Sequence, residues 1–241
     1  MKKIITLALT LTLVTSCSAQ WGKKIEGNGN KTTIERNVGN YDQVALAGWF
    51  DVDLVDGKEG QLTLKGESNL LEYIVTEVKD GKLSLKIKKG FNLKPSSWDD
   101  AIKITVPIES VDAVKLSGSG DIVGKTTIKT NSFKTALSGS GDITLDIESN
   151  SVDVSMSGSG DISLSGSTEN LAISISGSGD VNAYDLEADN VNASISGSAD
   201  IKVTANKMIK ARVSGSGDID YRGNPEKVDT KASGSGDISK G

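Results

Sequence analysis

Ser157-Gly158-Ser159-Gly160-Asp161-Ile162 is one of seven near-identical phrases between Ser117 and Ile238. The others open at Ser117, Ser138, Ser176, Ser196, Ser214 and Ser233, and the copy at Ser196 has Ala199 in place of its second glycine. Their aspartates are Asp121, Asp142, Asp161, Asp180, Asp200, Asp218 and Asp237, at intervals of 21, 19, 19, 20, 18 and 19 residues. A period near 19 with turn chemistry at one fixed phase describes a solenoid, in which each repeat packs only on its neighbours. A feature copied into every repeat is structural before it is catalytic, since an active site is singular.

Outward from the phrase, the flanking segments alternate. Before it stand strands such as Val152-Asp153-Val154-Ser155-Met156 and Leu171-Ala172-Ile173-Ser174-Ile175; after it come Ile143-Thr144-Leu145 and Ile162-Ser163-Leu164. Their apolar members would point inward and their polar members face water. Between the two strand types lie segments of varying sequence, among them 165–170 and 222–226. Coils of about 19 residues, all strand, point to an all-β parallel β-helix. Leucine-rich repeats share the period but need a dense leucine pattern that is missing. An antiparallel sandwich would not need the same five residues at the same corner seven times.

In such a stack equivalent residues lie about 4.8 Å apart. Seven ionised aspartates in a column repel by roughly 1 kcal/mol per neighbouring pair at water-like dielectric. The expected offset is local, with each carboxylate accepting hydrogen bonds from nearby backbone N–H groups of the glycine turn. Calcium between the stacked carboxylates is the minority alternative, and an outward Ser/Asp face recognising glycan or protein is a third. Ala199 indicates that the second glycine position is not strictly left-handed.

The chain has no histidine, which removes Ser-His-Asp, Cys-His and histidine-zinc chemistry. Lys2 and Lys3, the apolar run from Ile4 to Val14 and the small residues after it have the layout of a secretory signal, too short to span a bilayer. Leu13-Val14-Thr15-Ser16-Cys17 resembles the bacterial lipoprotein box, which implies cleavage after residue 16 and lipidation of Cys17, the only cysteine. A lipid there would tether the chain to a membrane without a spanning helix. Ser18 resembles an outer-membrane sorting signal, and no acidic export segment follows, so the periplasmic face of the outer membrane is expected over the cell surface. Without Lys2 and Lys3, 25 basic residues face 32 acidic ones, with charges interspersed, which is no nucleic-acid footprint.

Residues 17–36 read as the lipidated cysteine and a flexible tether. Residues 37–110 form an N-terminal β region with hairpin character, and 111–241 the repeat region of the same domain. Asp80-Gly81 between Thr76-Glu77-Val78 and Leu83-Ser84-Leu85 is a hairpin signal. Residues 68–74 hold the one plausible helical turn, capped by Ser68 or Asn69. Seven of the aromatic residues lie in the first 98 positions, where bulky side chains would plug a solenoid end; Trp98, in a polar loop, is the best candidate ligand platform. At the other end the last coil would present unpaired backbone groups, so a homo-oligomer through the C-terminal coil is expected as one way to cover them.

Gly48-Trp49-Phe50-Asp51-Val52, then Asn69-Leu70-Leu71-Glu72-Tyr73-Ile74 leading into Val78-Lys79-Asp80-Gly81-Lys82-Leu83, together with the repeated Ser-Gly-Ser-Gly-Asp-Ile, resemble the auto-transporter adhesin head GIN domain family of Bacteroidetes. The likeness covers roughly residues 41–238. It implies a right-handed β-helix and an adhesin role, and carries no catalytic or binding residues. Gly48-Trp49-Phe50-Asp51-Val52 then reads as a degenerate early copy of the phrase, adding Asp51 to the aspartate column. The expectation is a non-enzymatic envelope lipoprotein with an adhesin-like solenoid binding glycan or protein, without a cofactor. The alternatives are a periplasmic structural or assembly factor and, more distantly, a polysaccharide-acting β-helix enzyme.

Overall fold

The computed structural model describes residues 22–97 and 102–241. Nearly every described residue lies in or beside a strand, and the strands stack as about seven parallel coils of a β-solenoid. The N-terminal half holds β1 (Lys23–Glu26), β2 (Lys31–Asn37), β3 (Gln43–Gly48), β4 (Asp51–Asp56), β5 (Gln61–Glu67), the single turn α1 (Ser68–Leu71), β6 (Ile74–Lys79), β7 (Lys82–Ile87), β8 (Phe91–Lys94) and β9 (Lys103–Ile108). The coils proper are β10 (Ala113–Gly118), β11 (Ile122–Gly139), β12 (Ile143–Gly158), β13 (Ile162–Gly177), β14 (Val181–Gly197), β15 (Ile201–Gly215), β16 (Ile219–Arg222), β17 (Lys227–Gly234) and β18 (Ile238–Lys240).

Alternation becomes stacked columns. Leu46, Leu116, Leu137, Met156, Ile175, Ile195, Val213 and Ala232 lie in register on one wall of the interior. On another wall Ile104, Val52, Ile122, Ile143, Ile162, Val181, Ile201, Ile219 and Ile238 do the same. Most of these side chains are under 4 % exposed, so the tube is filled rather than hollow. Branched aliphatics suit this arrangement because each packs on a like residue one coil above and below.

Spatial order departs from chain order at the N-terminal end. The β3–β4 coil is sandwiched between β10–β11 on one side and β7 with β9 on the other. The chain therefore lays down one coil, builds the end cap beneath it, and then returns past that coil to continue the stack. The cap is antiparallel: β6 pairs with β7, β5 with β9, and β2 with β5. Asp80 and Gly81 join β6 to β7 with φ of 51° and 74°, the two positive values of a type I′ hairpin turn. Arg36 of β2 donates to the carbonyls of Leu71 (2.6 Å) and Ile74 (2.5 Å), fastening the cap. Tyr41 and Phe50 are buried here, and the rings of Tyr73 and Phe91 pack 4.6 Å apart.

Two expectations change. The tether to residue 36 is overturned over its second part: Ile25 and Ile34 pack on the core, and β1 and β2 find strand partners in β8 and β5. Helix α1 is entered from Glu67, not Ser68 or Asn69, and without a capping side-chain bond.

Candidate functional site

The seven phrases form one corner of the stack, and the register adds an eighth level. Gly48 pairs with Gly118 and Val52 with Ile122, which places Asp51 under Asp121. Three hydrogen bonds join each corner to its neighbour. The amide after the first glycine donates to the first glycine's carbonyl one coil down, as from Ser140 to Gly118 (2.9 Å) and Ser159 to Gly139 (2.8 Å). The amide after the aspartate donates to the aspartate carbonyl one coil up, as from Ile143 to Asp161 (2.9 Å).

The third bond uses the side chain. Asp51 Oδ1 accepts the Asp121 amide (3.2 Å), Asp121 that of Asp142 (3.0 Å), and Asp142 that of Asp161 (2.9 Å). Asp161 accepts from Asp180 (3.1 Å), Asp180 from Asp200 (2.9 Å), Asp200 from Asp218 (2.9 Å), and Asp218 from Asp237 (2.7 Å). The carboxylates are therefore bonded by backbone, but the donor is the next coil's amide rather than the aspartate's own turn. At the corner the extended ladder breaks between Gly139 and Ile143, and the side-chain oxygen stands in for the missing ladder carbonyl.

The glycines have separate causes. The first sits at positive φ in most coils, +146° at Gly139 and +139° at Gly215, a region other residues avoid. The second is not at positive φ, in keeping with Ala199, yet a Cβ on Gly141 would come 2.0 Å from the Gly120 carbonyl oxygen. Each coil's corner thus lies nearly in backbone contact with the one before.

Electrostatics follow burial. Asp51, beneath the cap, has its carboxyl pushed up chiefly by desolvation; the Asp121 amide opposes the shift, while the charges of Asp121 and Asp53 add to it. Beside the corner, Asp161, Asp180, Asp200, Ser163, Asn182 and Lys202 line a polar groove. Among the described residues no three or more acidic, cysteine or histidine groups converge in metal-holding geometry.

Leading into the corner, one outer face is built of small residues. Ser117 stacks on Ser138 and Ser157, and Ser176 on Ser196, Ser214 and Ser233. The next column outward reads Lys115, Ala136, Ser155, Ser174, Ser194, Arg212 and Lys231, so its middle is uncharged and its ends are basic. Cys17 and Trp98, the expected lipid site and ligand platform, lie outside the described residues. Sequence reading missed Glu67, a buried carboxylate that accepts the amides of Gly29 (2.5 Å) and Ser96 (2.7 Å) and ties two loops of the cap together. It also missed Asn150, whose amide donates to Asn131 Oδ1 (2.6 Å); their separation of 19 residues, one coil, was the available signal.

The family model described as "Putative auto-transporter adhesin, head GIN domain" matches residues 40–225. The chain belongs to this family. A solved structure described as a putative adhesin from Bacteroides fragilis is 25% identical, with a TM-score of 0.82 over 90% of this chain and 99% of its own. One described as a putative lipid binding protein from Parabacteroides distasonis is 27% identical, with a TM-score of 0.75 over 91% and 100%. A third, described as a putative adhesin from Parabacteroides merdae, is 19% identical with a TM-score of 0.73 over 91% and 99%, a likeness of fold. No curated protein matches. Among the described residues of this GIN-domain chain no helix is long and apolar enough to cross a membrane.

Proposed function

We propose that this GIN-domain chain is a non-enzymatic envelope lipoprotein, anchored through Cys17, whose rigid solenoid binds glycan or protein on its outer surface. The observation that carries the reading is the use of the corner carboxylates. From Asp51 to Asp218 each accepts a neighbouring coil's amide, so the most repeated charged group of the chain is engaged in holding the stack together. On one face of the middle coils, water meets a field of small uncharged side chains, Ser155, Ala172, Ser174, Asn192 and Ser194, spaced about 4.8 Å along the axis. Such a field suits an extended partner lying across several coils. Because the tube is filled, a ligand of any class, including a lipid such as the Parabacteroides distasonis relative is named for, would bind outside it.

The test is binding of the purified chain to extracellular proteins and to bacterial and host polysaccharides. The parent is compared with Ser174→Glu, which charges the middle of the flat face, and with Trp98→Ala. Loss on Ser174→Glu with an unchanged melting midpoint supports the face, and loss on Trp98→Ala supports the aromatic platform. Binding that survives both variants would sink the reading. Protease shaving of intact cells separates a surface adhesin from a periplasmic assembly factor, since only the former is cut. An enzyme would need one coil to differ in its ionisable side chains, and the column of phrases is uniform.

A further inference from the structure

Three features of the C-terminal end of the stack bear on association. First, β17 pairs with β15 on one side only, so alternate N–H and C=O groups along its other edge face outward with no strand among the described residues to receive them. Second, the apolar interior runs out at this edge: the column Phe133, Val152, Leu171, Val191, Ile209 ends in Val228, which is 51 % exposed and the one large hydrophobic so exposed among the described residues. Third, the charges along β17 are arranged for pairing with themselves.

We propose that β17 pairs antiparallel with β17 of a second copy about a twofold axis at Thr230. In that register Asp229 opposes Lys231 of the other copy twice over, Val228 opposes Ala232, and Thr230 opposes itself. Residues directly opposite in an antiparallel pair point to the same face. Val228 and Ala232 therefore extend the two apolar interiors into each other, while the Asp229–Lys231 pairs stay outside. Sliding by two residues one way sets Asp229 against Asp229 and Lys227 against Lys231; sliding the other way sets Lys231 against Lys231. Lysine on an edge strand ordinarily protects it from pairing, but here the alternating Asp229 supplies the matching charge. Asp229 also binds Arg212 (2.5 Å), and that bond holds its carboxylate on the outer face, where the incoming lysine arrives.

The opposite end cannot serve as the partner in the same way. Its outermost strand is β6 of the antiparallel cap, along whose free edge Arg36 already donates to the Ile74 carbonyl and the Thr76 hydroxyl. Pairing is therefore C-terminal end to C-terminal end, which closes as a dimer and does not grow into a fibre.

The test uses the full chain in detergent, by analytical ultracentrifugation and by oxidative cross-linking, with the parent as control for Cys17. Thr230→Cys lies on the axis and should give a disulfide-linked dimer, while Ser155→Cys, on the middle of the flat face, should not. Lys231→Glu should raise the dimer dissociation constant at least about tenfold, because it meets Asp229 of the other copy; Lys202→Glu, the same charge change off this edge, should leave it unaltered. Both lysines are exposed, and an unchanged melting midpoint of the separated monomer shows that the fold is intact. A parent that stays monomeric at its highest soluble concentration would overturn the proposal. So would a dimer indifferent to Lys231→Glu, or cross-linking equal at positions 155 and 230.

Discussion

Replacing Asp161 separates the two contributions made by each corner carboxylate. Its Oδ1 accepts the Asp180 amide at 3.1 Å, and its neighbours in the column are Asp142 and Asp180. At about 4.8 Å and water-like dielectric, each neighbouring charge costs about 0.9 kcal/mol, so removing the charge relieves about 1.7 kcal/mol at low salt. Asp161→Asn keeps an acceptor oxygen for the Asp180 amide but exchanges a charge-assisted bond for a neutral one, a loss of about 1 kcal/mol. At low salt the asparagine variant is therefore ahead of the parent by about 0.7 kcal/mol. Asp161→Ala gains the same relief but leaves the amide without its acceptor, which sets it about 1 kcal/mol below the asparagine variant. For a chain of this size that difference corresponds to about 2–4 °C in melting midpoint. The assay is thermal unfolding by circular dichroism, first at low ionic strength and then in 1 M salt, where the screening length of about 3 Å is shorter than the column spacing. Salt should therefore raise the parent relative to Asp161→Asn. Equal midpoints for the asparagine and alanine variants would refute the hydrogen-bond reasoning, and a salt-independent gap between parent and Asp161→Asn would refute the column repulsion.

Gly139→Ala, at φ +146° with its Cβ 2.0 Å from the Gly118 carbonyl oxygen, should lower the midpoint by several degrees, whereas Ala199→Gly should change it little. Thr135 has a buried hydroxyl with no hydrogen-bond partner and stacks between Val114 and Val154, so Thr135→Val should raise stability by about 1 kcal/mol in the same melt. Because burial raises the Asp51 carboxyl, the folded state holds that proton more tightly than the unfolded chain. Its contribution is therefore unfavourable above the raised value and vanishes as pH falls below the ordinary one. Asp51→Asn, which keeps the acceptor for Asp121, should raise the midpoint at neutral pH, with the gain shrinking on acidification. Calcium followed by excess chelator should leave the parent's midpoint unmoved, and a calcium-dependent rise would make the aspartate column an ion site.

The coils were legible because their causes repeat. Seven phrases at a period near 19 fixed the coil length, the alternation in segments such as Val152–Met156 fixed which side chains enter the tube, and Ala199 foretold the backbone of the second glycine. The capped end was not legible, for it depends on long-range pairing. Nothing in Lys31–Asn37 announces that it lies antiparallel to Gln61–Glu67, and nothing local shows that the β3–β4 coil is overtaken by the returning chain. Glu67 reads as an ordinary surface acid until the loops at Gly29 and Ser96 close over it. The aspartate's bonding was half legible. Its need for backbone donors followed from charge and turn chemistry, but the identity of the donor followed only from coils being stacked in register, which brings the next corner's amide within hydrogen-bond reach of the carboxylate.

The most direct test of the account is site-resolved amide hydrogen exchange at the corner aspartates, by nuclear magnetic resonance on the parent and on Asp161→Ala. If each carboxylate holds the next coil's amide, the amides of Asp121 to Asp237 exchange slowly despite lying at an exposed corner, and Asp161→Ala speeds exchange at Asp180 while Asp142 keeps its protection. Corner amides that exchange as fast as those of open loops in the parent, or an Asp180 amide indifferent to the loss of Asp161, would contradict it.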